Sequence, residues 1–168
     1  MKIKTKNIIL MLIIVLLSVV SYSCNELAEL EIEKIWGRAV KVKGENKSSF
    51  TSFGRVVNKN PKIEAKIEKW SFKLYSGDNL LFGVNSDNYK NFDFMVAVSK
   101  PVNYLNGTMV VMMGLPYYDA YVDFVEKDIF QGKKPDKILF ECTVVDMNGN
   151  STRLSGTNTL EYVEKEPK

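Results

Sequence analysis

The chain has 168 residues, a formal charge of +3, two cysteines and no histidine. Lys2, Lys4 and Lys6 account for the whole excess; without them cations and carboxylates balance, which leaves a nucleic-acid role without electrostatic support. The missing histidine removes the usual general base, the Ser-His-Asp and Cys-His arrangements, and the commonest metal ligand.

In chain order, Met1 to Lys6 is a short basic start, and Ile8 to Val20 runs without a charge or a breaker. Ser21-Tyr22-Ser23-Cys24 follows, small residues leading into a cysteine. About 20 apolar residues are needed to cross a bilayer, so this run is too short for an ordinary span and reads as a cleaved export signal. The cysteine at the cleavage point resembles the lipobox of bacterial lipoproteins. Ser23 matches the small residue before the cut; Ser21 stands where that family usually has leucine. The resemblance implies cleavage before Cys24, diacylglycerol on its thiol and acylation (palmitate) of the new amino end. It implies a protein held on the exported side of the bacterial cell envelope, periplasmic or at the surface. The stretch 25–31 (NELAELE) then reads as a solvated, acidic tether.

Leu27, Leu30 and Ile35 suit either a short helical lead-in or a strand. From Gly44 to Pro61 the chain is polar and broken, and reads mostly as loop, with Phe50 and Phe53 pinned against something. After Pro61 the period becomes two. Ile63, Ala65 and Ile67 alternate with charged residues; Trp70, Phe72 and Leu74 alternate one register later, which predicts a bulge at Glu68-Lys69. Trp70 in this alternation reads as core. Ser76 to Asn79 is a turn, Leu80 to Val84 a short strand, and Asn85 to Asn88 another turn. Phe92, Phe94, Val96 and Val98 predict the next strand. Asn106-Gly107 is a hairpin signal ahead of Thr108 to Met113. Tyr118, Ala120, Val122 and Phe124 share one face. Lys137 to Val145 is a strand, Asn148-Gly149-Asn150 turns it into Ser151 to Ser155, and a last strand holds Leu160, Tyr162 and Val163.

Several short strands with frequent turns predict an all-β sandwich. Residues 131–151 (QGKKPDKILFECTVVDMNGNS) add a resemblance to the final strands of fibronectin type III and bacterial immunoglobulin-like domains. There a proline-containing corner leads into an aromatic-bearing strand and a D-x-x-G-N turn. The expected organisation is a signal peptide over 1–23; a lipidated cysteine, tether and irregular lead-in over 24–60; and an immunoglobulin-like β-sandwich over 61–168.

Most chemical constellations are set aside. Asp146 to Asn150 has its glycine at the fourth position, not the sixth of a calcium loop, and reads as a hairpin turn. Asp119, Asp123, Glu126 and Asp128 read as solvent-facing charges rather than cation ligands. The basic stretch 34–73 and the acidic stretch 78–128 are expected to face each other across strands. With Cys24 lipidated, Cys142 has no disulfide partner, and its place in a strand alternation reads as a small buried thiol. No cofactor, metal site or catalytic set is expected. The expected role is non-enzymatic: binding, adhesion or structure in the envelope. The alternatives are a carbohydrate- or peptide-recognition module and a small carboxylate-based envelope hydrolase. Exposed aromatics on turns mark recognition surfaces, so Tyr117, after Pro116, and Tyr89 are the candidate ligand contacts. The expected partners are the membrane, through the anchor, and an envelope protein or glycan.

Overall fold

The computed structural model describes residues 26–60, 62–91, 96–98, 108–113 and 128–167. Nine strands are described: β1 (Leu30–Val42), β2 (Ser48–Asn58), β3 (Ala65–Ser76), β4 (Asn79–Asn85), β5 (Val96–Val98), β6 (Thr108–Met113), β7 (Lys137–Asp146), β8 (Ser151–Thr159) and β9 (Glu161–Lys165). They form a five-stranded sheet, ordered β5-β6-β2-β1-β9, and a four-stranded sheet, ordered β4-β3-β7-β8. Neighbours are antiparallel except β1 and β9, which run parallel from Arg38/Glu161 to Val42/Lys165. The all-β sandwich expected from the sequence is the architecture observed.

The strands form where alternation presents one apolar face. In β7, Ile138, Phe140, Cys142 and Val144 are all buried, with half-exposed residues between them. In β3 the bulge falls where the parity change predicts it: the pairing with β7 shifts between Ile67 and Lys69, and Trp70, Phe72 and Leu74 then point inward. A second shift between Leu74 and Tyr75 gives β4 one extra residue, which lets the consecutive Leu81 and Phe82 both be buried. Gly77, at φ 57°, makes the turn between β3 and β4.

Aromatic rings fill the space between the sheets. Phe72 lies 4.9 Å from Phe140, 6.0 Å from Trp70 and 6.4 Å from Phe50, and Phe50 meets Phe82 edge-on at 6.1 Å. Such contacts add about 0.5–1.5 kcal/mol per pair beyond area burial.

Residues 44–61 require a correction. They are not mostly loop: Ser48 to Asn58 form β2, the central strand of the five-stranded sheet, between β1 and β6. The sandwich therefore includes segments that the sequence assigns to a tether and irregular lead-in, β1 and β2 both lying before residue 61. The inward residues of β2 are Phe50, Ser52, Gly54, Val56 and Asn58. Three of these five are small or polar, so the strand carries no hydrophobic signature. Bulk comes from the opposite sheet instead: a Cβ on Gly54 would sit 2.7 Å from three atoms of the Phe140 ring. Asn58 is buried because its amide is used. Nδ2 donates to the Ile63 carbonyl, and Oδ1 accepts from the Glu29 and Asn60 amides. Of the two readings of the segment around Leu30, the strand holds, with a register shift between Ile32 and Lys34.

The strand expected over 118–124, the hairpin at Asn106-Gly107, Phe92, Phe94 and the signal segment lie outside the described residues.

Candidate functional site

Tyr89 stands on a single 3₁₀ turn, Tyr89–Asn91, that follows β4. The preceding turn is built by asparagines. Asn85 Oδ1 accepts from the Asp87 and Asn88 amides, Asn88 Oδ1 accepts from the Asn85 amide, and the Ser86 amide donates to the Trp70 carbonyl. This ties the turn to β3. Tyr89 is half-buried: its ring lies 5.8 Å from Trp70, and Lys90 Nζ stands 5.9 Å from its centroid. The sequence expects a loop tyrosine held at a strand end, and the turn supplies that position while the core takes one side of the ring.

Beside this turn is an open depression of about 170 Å³ on the outer side of the four-stranded sheet. Lys69, Ser71, Asp87, Glu141, Thr143 and Arg153 give it a polar lining. Glu141 is its electrostatic centre. One carboxylate oxygen accepts from Lys73 Nζ at 2.6 Å and from Ser71 Oγ at 3.3 Å; the other accepts from Arg153 at 2.8 Å. The Lys73 hydrogen bond holds the Glu141 carboxyl below the usual carboxylate range; Arg153 adds to this, and burial opposes it. The result is a carboxylate, ionised at neutral pH, clamped by two cations on neighbouring strands.

The other perturbed carboxyls serve local structure. Asp146 is lowered chiefly by the hydrogen bond from the Asn150 side chain, with help from the Asn150 and Asn148 amides. Its oxygens thus close the β7–β8 hairpin, as the turn reading requires. At Asp128 burial pushes the carboxyl up. The Lys41 hydrogen bond at 2.7 Å and the Gly132 and Phe130 amides outweigh it, and the net shift is downward. This pair joins the basic stretch to the end of the acidic one, but Asp128 is not in a strand, and Arg55, Lys59, Lys62 and Lys73 pair instead with Glu33, Glu31, Glu26 and Glu141, so the two stretches do not face each other as expected. Asp119, Asp123 and Glu126 lie outside the described residues. Burial pushes the Cys142 thiol up to about 12, so it is an inert core group.

These shifts set the acid response. Glu141, Asp128 and Asp146 all bind their protons less readily in the folded chain than at their ordinary values of 4.5 and 3.8. The stability they contribute is complete above those values and is lost as pH falls through and below them. Without histidine, no side chain of ordinary pKa titrates between pH 5 and 8. Thermal melts are therefore expected to be flat from pH 8 to 5 and to fall steeply below about pH 4.5, with a shallower fall in Glu141→Gln. A melting temperature that rises on acidification would refute this account.

Sequence reasoning missed β8 as a surface. Among the described residues, Ser151 to Thr159 is an edge strand, paired only with β7, and most of its residues are exposed. It borders the depression above, through Arg153, and a larger open groove of about 520 Å³. Residues 32–36 of β1 and 154–158 of β8 line that groove, and Asn158 Nδ2 spans it to the Ile35 carbonyl at 2.7 Å. The available signal was a nine-residue strand with one charge and no proline.

Tyr117 and Cys24 lie outside the described residues. Among the described residues, no three His, Cys, Asp or Glu side chains gather as metal ligands, and no helix is long and apolar enough to cross a membrane.

No protein-family model matches this chain, and no curated protein does. Among solved structures, it is similar to murine CRIg at 10% identity and a TM-score of 0.32, over 83% of this chain and 99% of that one. It is also similar to ACE19, the collagen-binding subdomain of the Enterococcus faecalis surface protein ACE. There the identity is 8% and the TM-score 0.24, over 76% of this chain and 95% of that one.

Proposed function

We propose that this chain is an exported bacterial lipoprotein, anchored through Cys24, whose β-sandwich has a non-enzymatic binding role in the envelope. The observation that carries the reading is the N-terminal segment: three lysines, an uncharged apolar run, and small residues leading into Cys24. Lipid chains supply membrane affinity at roughly 0.8 kcal/mol per buried CH₂, so the sandwich needs no membrane-binding surface and its faces are free for a partner.

The candidate contacts in this proposal are Tyr89, at one end of the sandwich, and Tyr117. Tyr89 offers part of an aromatic ring next to a depression lined by hydroxyl, amide and charged groups. That combination suits the sugar rings and hydroxyls of a glycan. The hydrolase alternative asks for a carboxyl raised toward neutrality as the general acid. Glu141, the carboxylate at the centre of the depression, is displaced in the opposite direction, which favours the binding reading.

The test is binding to whole envelopes and to a glycan panel. Truncating a hot-spot tyrosine typically costs about 2 kcal/mol or more, roughly a 30-fold loss of affinity. Tyr117→Ala is expected to lose binding by that factor with an unchanged melting temperature. Tyr89→Ala is expected to lose binding and some stability together, since its ring also covers Trp70. If both variants bind as the parent does, these contacts are wrong.

A further inference from the structure

We infer that β8 is a self-pairing edge: two copies of this chain join antiparallel along Ser151–Thr159 about a two-fold axis at Ser155. Their four-stranded sheets then become one continuous sheet. An exposed edge is a template for strand addition unless something guards it, usually charge, proline, a bulge or extreme shortness. Two of the other described edges are guarded: β9 has five residues and carries Glu161, Glu164 and Lys165, and the pairing that holds β4 contains a bulge. β8 has nine residues, a continuous register with β7, no proline, and Arg153 as its one charge.

The ladder shows which backbone groups are available. At one end the Asp146 amide donates to the Asn150 carbonyl; at the other the Leu160 amide donates to the Asp136 carbonyl. Antiparallel pairing alternates, so the even-numbered residues of β8 face β7 and the odd-numbered ones turn their N–H and C=O outward. Ser151, Arg153, Ser155 and Thr157 therefore present backbone groups along the edge that have no ladder partner among the described residues. At Thr159 the row ends, because Asn158 Oδ1 accepts that amide.

The strand is complementary to itself. About Ser155, Ser155 pairs with its own copy and Arg153 with Thr157, which brings no like charges opposite each other. A two-fold axis at Leu154 would set the two Arg153 side chains diagonally, about 7 Å apart, and like charges at close range are unfavourable. On the inner side the Ser155-centred pairing puts Leu154 of each copy opposite Gly156 of the other. Gly156 carries no side chain of its own, and Ile35 and Ile32 fill the space over it, Ile35 Cδ1 lying 2.8 Å from where a Cβ would stand, so the partner's Leu154 meets an apolar surface there. A second copy satisfies the edge with no partner of other sequence required.

The experiment uses the full-length chain in intact envelopes. Paired residues that exchange backbone hydrogen bonds lie about 5.5 Å apart at Cα, within disulfide reach. Ser155→Cys is expected to give a covalent dimer on mild oxidation. Thr152→Cys, exposed on the same strand but about 20 Å from its copy in this pairing, is expected to give none. A third variant, Ser155→Lys, places two ammonium groups opposite each other without touching the β7 ladder. In detergent it is expected to sediment as a monomer with the parent's melting temperature, where the parent sediments as a dimer. Equal cross-linking at 152 and 155, cross-linking of Ser155→Cys to a different protein, or a monomeric parent would each overturn the proposal.

Discussion

Phe140→Ala is expected to remove about 3–5 kcal/mol of stability, the usual range for emptying a buried phenylalanine site. The site has little means to collapse. The ring is fully buried, faces Phe72 at 4.9 Å, and fills the space over Gly54, which has no side chain to move into the void. Both walls are the middle of sheets: β7 lies between β3 and β8, and β2 between β1 and β6. For a domain with total stability of about 5–15 kcal/mol, the loss takes roughly a fifth or more of the whole. At about 2–4 °C per kcal/mol, the melting temperature is expected to fall by roughly 6–20 °C. Thermal or denaturant unfolding of parent and variant measures it. A loss under about 1 kcal/mol would mean that the sheets close over the site, and the tight Gly54–Phe140 contact would be wrong.

Cys24→Ala is expected to abolish membrane anchorage. On the proposed reading, the thiol carries the lipid. The variant then either appears in the soluble fraction or remains as the uncleaved precursor, heavier by the signal segment. Two or three acyl chains hold a protein stably on a bilayer, whereas one gives only marginal, reversible binding, so the effect is close to all-or-none. Fractionation with mass measurement distinguishes the outcomes. A Cys24→Ala chain that stays equally membrane-bound at the parent's processed mass would end the lipoprotein reading. Because Cys142 is buried with its thiol pushed up to about 12, it cannot take over as the acylated group.

The sequence by itself determined the strands whose burial follows a plain alternation. Ile138 to Val144, and Trp70 to Leu74, show period two because every second residue enters a common core. It determined the bulge near Glu68, because a change of parity in a paired strand needs an extra residue. It also determined the turns at Gly77 and Gly149, where φ is positive. Tertiary structure alone decided the rest. β2 is buried through Ser52 and Gly54 because Phe140 reaches across from the other sheet, and a small residue beneath a large one has no signature of its own. Glu141 became the hub of the depression only when β3 and β8 brought Lys73 and Arg153 to either side of β7. The open edge of β8 depends on which strand has a single neighbour. Sheet order is set by contacts far apart in the chain, and no local run of residues encodes it.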